Sequence, residues 1–359
     1  MDFRKIIAVV GAIFVLFMLV SDSVAEPTYS DYVVKNLPKN AEVLTNGVSH
    51  IKFYYGGNKV DSFHINRKYN KSIVIEPILA NETIKGLKSI YSYHQKLKDY
   101  VVFTNCVYFN LVQGVPVGIL KIGEEFYSGS VYNRSALVIY DDSFRISRIN
   151  MNIQVNGINV DNINQPRMSK LFTLMYTDKW GSKSPVSPKN GLQVLVKDEH
   201  VISISTCQQQ IPKGGYVLVG TKEKLAPFKV GQYVRADIRT NPNFNNALHV
   251  VSGGPTILKN GVSHILAKEE RMGYIGEGRY NRTFACITDD DSLIITTVSG
   301  KGISLKDEVN LMLKFKCIDG MNFDGGASTS GYYKKNGVTY NLVNSGRLLP
   351  MVLAVREKK

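Results

Sequence analysis

Met321-Asn322-Phe323-Asp324-Gly325-Gly326-Ala327-Ser328-Thr329-Ser330-Gly331 is the stretch around which the chain is organised. A segment with helical apolar spacing, 304–316, runs up to it, and a short apolar run, 317–323, leads into it. Asp324 then stands at the head of a glycine pair and a hydroxyl cluster. Glycines after an aspartate let the backbone approach a ligand closely, and their N–H groups can converge on an anion. A carboxylate at that lip is placed to take a proton or to face a developing positive charge. Asp-Gly is also a common turn dipeptide, so an exposed turn is the competing reading.

Upstream, Ser304 and Asp307 have the spacing of a capping box, which makes Asp307 structural. Leu305, Val309, Met312 and Leu313 or Phe315 give the following helix its buried stripe. Most of the remaining chain alternates with the period of strands. Residues 48–55 and 60–65 flank a Gly-Gly-Asn turn, and 72–79 is a β-branched run. The spacing at 83–97 predicts a helix, and 100–103 a buried strand. Strands recur through 131–206, 216–220 and 231–239, with a loop at 176–190. A strand at 248–251 enters Ser252-Gly253-Gly254-Pro255, and a loop at 268–281 delivers Arg282-Thr283 into a strand at 284–288. Asn46-Gly47-Val48-Ser49-His50-Ile51 recurs at 260–265, which reads as shared Asn-Gly hairpin chemistry. His50 and His264 are therefore strand residues before they are ligands.

Residues 1–5 are short and basic, 6–20 are apolar apart from Gly11, and Ser23-Val24-Ala25 offers a cleavage site before Glu26. That is the pattern of a signal peptide at 1–25. The apolar run falls short of the roughly 20 residues of a membrane span, and an uncleaved N-terminal anchor facing outside is the alternative. Export implies a secreted or periplasmic protein that touches a membrane only if the segment is retained. Residues 26–42, polar and proline-punctuated, read as a leader into the fold.

The formal net charge of +14 favours anionic partners, among which export makes nucleic acid the weakest. A lysine-rich proteome explains the same charge without a partner. Cys106, Cys207, Cys286 and Cys317 are too few for a disulfide-framed miniprotein and too irregular for zinc. No cluster of His, Cys or carboxylates asks for a metal, and nothing calls for a cofactor.

Several segments in order resemble the phosphodiester glycosidase domain: Asn105 with Tyr108-Phe109, Gly253-Gly254-Pro255, Arg282-Thr283, Ser304-Leu305, and Asn322-Phe323-Asp324-Gly325-Gly326. Arg347 and a closing strand at 351–355 fit its C-terminal pattern. The resemblance implies a single large α+β domain at 43–356, largely antiparallel sheets with a few packed helices. The pattern also departs from that family. Cys106 and Val107 replace two glycines, Ala327 a third, and Cys286 stands at another glycine position. Added Cβ atoms near a substrate are expected to narrow the pocket or move the chain. A Cys106–Cys286 disulfide is one consequence to test.

What the resemblance implies is an exported hydrolase that cleaves the sugar–phosphate bond of glycosyl phosphodiesters. Its partner would be a phosphate-bearing glycan, an exopolysaccharide or another anionic polymer of the cell envelope. Arg282 would fork two hydrogen bonds onto the phosphate. Backbone amides at Gly325-Gly326, and at Gly253-Gly254, would complete the cradle. Asn105 would fix a sugar hydroxyl or an N-acetyl group, or form a buried turn. Asp324 would stabilise an oxocarbenium-like transition state or activate water. Thr283, Ser328 and Arg347 complete the substrate-binding set, with Glu277 a candidate second acid. Two alternatives stand beside this: a catalytically silent module that binds anionic glycans, and a glycoside hydrolase acting on substrates without phosphate.

Overall fold

Successive side chains of a strand point to opposite faces, and the strand Tyr280–Thr288 is apolar on both. Ala285 and Ile287 enter one core cluster, whereas Phe284 and Cys286 enter another. A strand of this kind must lie between two layers. In the computed structural model, which describes residues 28–343 and 345–358, it sits inside an eight-stranded sheet. The order is Ala41–Thr45, Val48–Tyr55, Asn58–Ile65, Leu293–Ile303, Tyr280–Thr288, Cys317–Asn322, Thr256–Lys259 and Val262–Ser263. Every neighbouring pair is antiparallel.

The helix Leu305–Lys314 covers one face, burying Leu305, Val309 and Met312 with Phe284, Cys286 and Val298. Its capping box forms as expected: the Asp307 amide donates to Ser304 Oγ at 3.2 Å, and the Ser304 amide to Asp307 Oδ2 at 3.0 Å. Leu313 is not in the stripe and is exposed, while Glu308 is fully buried in its place. The other face packs on the five-stranded sheet Val338–Val343, Gly331–Lys335, Tyr100–Asn105, Met351–Glu357 and Ile73–Leu79. Phe63, Ile295, Met321 and Phe323 meet Val102, Leu353 and Val355 there.

Further along, Leu174–Thr177, Tyr216–Thr221 and Gly191–Lys197 belong to another five-stranded sheet, with a separate core of Val194, Val196 and Leu218 against Ile153 and Val155. Among the described residues the only parallel strand pair is Asn162–Ile163 with Leu174–Thr177. The architecture is the expected α+β class of largely antiparallel sheets, with five helices among the described residues. Both Asn-Gly repeats are two-residue hairpin loops, closed by Thr45 opposite Val48 and by Lys259 opposite Val262.

Four expectations are corrected. Residues 26–42 are not merely a leader: the helix Tyr29–Asn36, capped by Thr28, buries Tyr29 and Val33, and Ala41–Thr45 adds an edge strand. The helix expected at 83–97 is confined to Ile90–Lys96, because Gly86 adopts φ +139° and Ser89 supplies the N-cap. The disulfide joins Cys286 to Cys317, Cα atoms 5.8 Å apart, and not to Cys106. Cys106 is free and buried in the core on the opposite face, so the sheet stands between it and Cys286. Finally, Cys106 and Val107 point into that core and do not narrow the pocket described below. The proposed signal peptide lies outside the described residues. Among those residues no helix is long and apolar enough to cross a membrane.

Candidate active site

The strand Cys317–Asn322 stays in register with Tyr280–Thr288 as far as Asn322 opposite Phe284. Beyond it the chain turns away. The Asp324 amide donates to the Cys106 carbonyl at 2.8 Å, and the Asp324 carbonyl accepts from Asn105 Nδ2 at 2.6 Å. Gly325 then passes so close to the next strand that a Cβ would sit 2.7 Å from the Asn281 carbonyl oxygen. Gly326, at φ +59°, opens the single 3-10 turn Gly326–Ser328. Both glycine amides are thus outside strand pairing. The Gly325 amide donates to Asp324 Oδ1 at 2.9 Å, so it holds the carboxylate of its own turn. The Gly326 amide makes no hydrogen bond among the described residues.

Asp324 opens onto a cavity of about 850 Å³. It is lined by Asp324, Gly325, Gly326, Ser328, Arg282 and Arg347. Residues of the 108–111 and 161–174 segments line it too, with Tyr274 and Tyr280. Burial pushes the Asp324 carboxyl up to about 6, against the pull of Ser328, the Gly325 amide and the Arg347 charge. At neutral pH such a group is mostly ionised yet takes a proton readily.

The two arginines of the site differ. Arg282 is 2 % exposed and engaged by protein. Its Nε donates to the Ile303 carbonyl at 3.2 Å, and its Nη2 to the carbonyls of Ile275 and Gly278, both at 3.0 Å. Glu308 Oε1 lies 3.2 Å from the same Nε. Burial raises the Glu308 carboxyl to about 8, against the attraction of Arg282. Arg282 therefore staples the 275–278 loop, while also lining the cavity. Strand parity explains this: Arg282 falls on the helix face with Phe284 and Cys286. Arg347 is different: its side chain has no hydrogen bond or ion pair among the described residues, and it lines the cavity. The loop bearing it is tied to the Asp324 turn by a hydrogen bond from Ser345 Oγ to the Ala327 carbonyl.

Other expected site residues serve as supports. Asn105 is 1 % exposed, and its Oδ1 accepts from Thr283 Oγ1 at 2.7 Å and from the Ser330 amide at 3.2 Å. With its Nδ2 on Asp324, no part of that amide is presented to a sugar. Thr283, fully buried, orients Asn105. The Gly253 and Gly254 amides donate to the carbonyls of Ser135 and Asn322, at 2.9 and 2.8 Å, so they do not join an anion cradle. Gly253 is needed for packing, since a Cβ there would meet Phe323 at 2.7 Å. Glu277 is exposed and away from the cavity.

Tyr108 supports the site from below. Its hydroxyl, 3.1 and 3.0 Å from the carbonyls of Gly254 and Phe323, shares its one proton between them and accepts from Asn322 Nδ2 at 2.6 Å. It pins the backbone just before Asp324. The exposed apolar side chains of the cavity are Leu111, next to Val112 between Asn110 and Gln113, and Met168 and Phe172, all in otherwise polar loops.

Part of the chain that builds this arrangement matches a known family. Residues 190–356 match the phosphodiester glycosidase family model. The phosphodiester glycosidase match includes Arg282, Asp324 to Ser328 and Arg347, but begins after Asn105 and Tyr108. No curated protein matches the chain. Among solved structures, a hypothetical protein from Synechocystis superposes with a TM-score of 0.77 at 19% identity, covering 87% of this chain and 62% of its own. This chain therefore spans less than two thirds of that protein. A putative exported protein from Burkholderia pseudomallei K96243 gives 0.69 at 16% identity, covering 83% and 74%. At these identities both show the fold alone. The zebrafish N-acetylglucosamine-1-phosphodiester alpha-N-acetylglucosaminidase catalytic domain, auto-inhibited by its pro-peptide, gives 0.46 at 13% identity over 89% and 86%.

Proposed function

We propose that the protein is an exported hydrolase that cleaves the sugar–phosphate bond of glycosyl phosphodiesters of the cell envelope or its surroundings. The observation that carries this reading is the pairing, in one cavity, of a carboxylate raised to about 6 with a guanidinium that has no protein partner among the described residues. Arg347 binds the phosphate as a planar, permanently charged donor. The Gly326 amide and the Ser328 hydroxyl stand beside it as neutral donors. Asp324, ionised at neutral pH, faces the charge that develops at the anomeric carbon and draws the proton from the attacking water.

A phosphate leaves as an anion without prior protonation, so one carboxylate suffices where most glycosidases need two. Asn105, Thr283 and Tyr108 keep Asp324 in place and take no part in the bond change. Export is supported by the apolar N-terminal segment and by the likeness to a protein described as exported. The test is release of free sugar from a chromogenic or natural glycosyl phosphodiester. Asp324→Asn and Arg347→Ala are each expected to lower turnover by about two orders of magnitude or more. Wild-type activity in both variants would overturn the assignment; no activity in the parent protein would favour a silent binding module.

A further inference from the structure

Polar residues line the cavity beyond the Asp324 turn as well, but Asn110, Ser130, Arg134, Asp161, Asn162 and Gln165 are all hydrogen-bonded to protein. Leu111, Met168 and Phe172 line it while remaining 60%, 76% and 36% exposed. Val131 and Val117 line it too, and Leu174, 1% exposed, lies beneath them in the core. Val112 and Leu171, 92% and 70% exposed, adjoin Leu111 and Phe172 in the chain. Exposed apolar side chains scattered singly need no explanation, but a contiguous group around a pocket marks what the pocket binds. Tyr132, Tyr274 and Tyr280 are suited to a sugar face, since an aromatic ring offers a flat apolar body with a polar tip. The aliphatic wall is not. Sugar hydroxyls laid on Leu111, Met168 and Phe172 would lose water without gaining hydrogen bonds.

We propose that the aglycone of the substrate is a long aliphatic chain, so that the pocket takes an amphiphile, a lipid-linked sugar phosphodiester. This rests on the reading above, and deepens it by naming what lies beyond the phosphate. The phosphate sits at Arg347, the sugar at Asp324, and the chain runs over Leu111, Met168 and Phe172. Sharing one cavity with Arg347 and Asp324 distinguishes these side chains from an unrelated sticky patch. The net charge of +14 adds attraction for an anionic headgroup or an anionic lipid surface.

Two glycosyl phosphodiesters with the same sugar separate the possibilities, one with a decyl aglycone and one with methyl. The decyl substrate is expected to show a kcat/KM about 100-fold higher, as for burial of roughly three or four methylenes. Met168→Ser with Phe172→Ser is expected to lower that ratio to about ten or less. Equal rates for the two substrates would overturn the inference and leave the hydrolase reading standing. If neither is hydrolysed, the hydrolase reading falls, and calorimetric binding of decyl phosphate against methyl phosphate decides the inference alone. A ratio of about 100 would support it and a ratio near one would overturn it. An unchanged decyl preference in the double variant would place the chain elsewhere and also overturn it.

Discussion

The substitution Asp324→Asn should make the protein more stable at neutral pH while removing its activity. The side-chain amide oxygen it introduces still accepts from the Gly325 amide, so the turn is kept. What disappears is a charge that the fold tolerates poorly. The carboxyl is raised from 3.8 to about 6. Between those values the folded chain holds a proton that the unfolded chain has released, so wild-type stability falls as pH rises through that window. One pKa unit is worth ~1.4 kcal/mol, and solvent reaching the pocket side reduces the total to about 2 kcal/mol. Urea denaturation at pH 4 should give nearly equal stabilities for the two proteins. At pH 7.5 the variant should exceed wild type by about 2 kcal/mol, with turnover down about 100-fold. A variant less stable at pH 7.5, or a difference that does not change with pH, would refute the reasoning.

The same shift predicts that kcat/KM falls on acidification with a midpoint near 6, as the base takes its proton; a pH–rate profile flat from 5 to 8 would exclude Asp324 as that base. Arg347→Ala should raise KM for a phosphodiester far more than it changes the urea midpoint, with Lys restoring part of the loss, both read by steady-state kinetics. Arg282→Ala should behave in the opposite way, costing about 3–5 kcal/mol because Glu308 and three carbonyls lose their partner. A thermal melt unchanged in that variant would show that the staple is not structural. Converting both Cys286 and Cys317 to Ala, which opens a loop of sequence separation 31, should cost about 3–4 kcal/mol on the chain-entropy account, measurable in urea under non-reducing conditions.

The strands and the capped helix were legible because they depend on local signals: alternation in 48–65 and 284–288, and the Ser304/Asp307 spacing. The Asp324 turn was legible because its glycines have few other reasons to be there. What failed is long-range. Nothing near Asn105 indicates that its amide will be consumed by Thr283, Ser330 and Asp324, which arrive from elsewhere in the chain. Arg282 is a phosphate ligand by resemblance alone, but its face of the strand points at a helix that buries Glu308 among Leu305, Val309 and Met312. The disulfide partner of Cys286 was missed for a related reason, since pairing depends on which side of the sheet each sulfur occupies. The apolar wall is assembled from loops far apart in sequence, and no window along the chain contains it.

Arg282 and Thr283 are adjacent in the chain yet address different layers. One clamps a loop against the helix, the other orients the amide beneath Asp324. A single inserted or deleted residue just ahead of them would exchange their destinations, leaving a cation on the wrong side of the sheet and a hydroxyl facing a lone acid. Point changes on either layer leave the other untouched. Variation among this protein's relatives should therefore come as replacements along that strand and hardly ever as changes in its length.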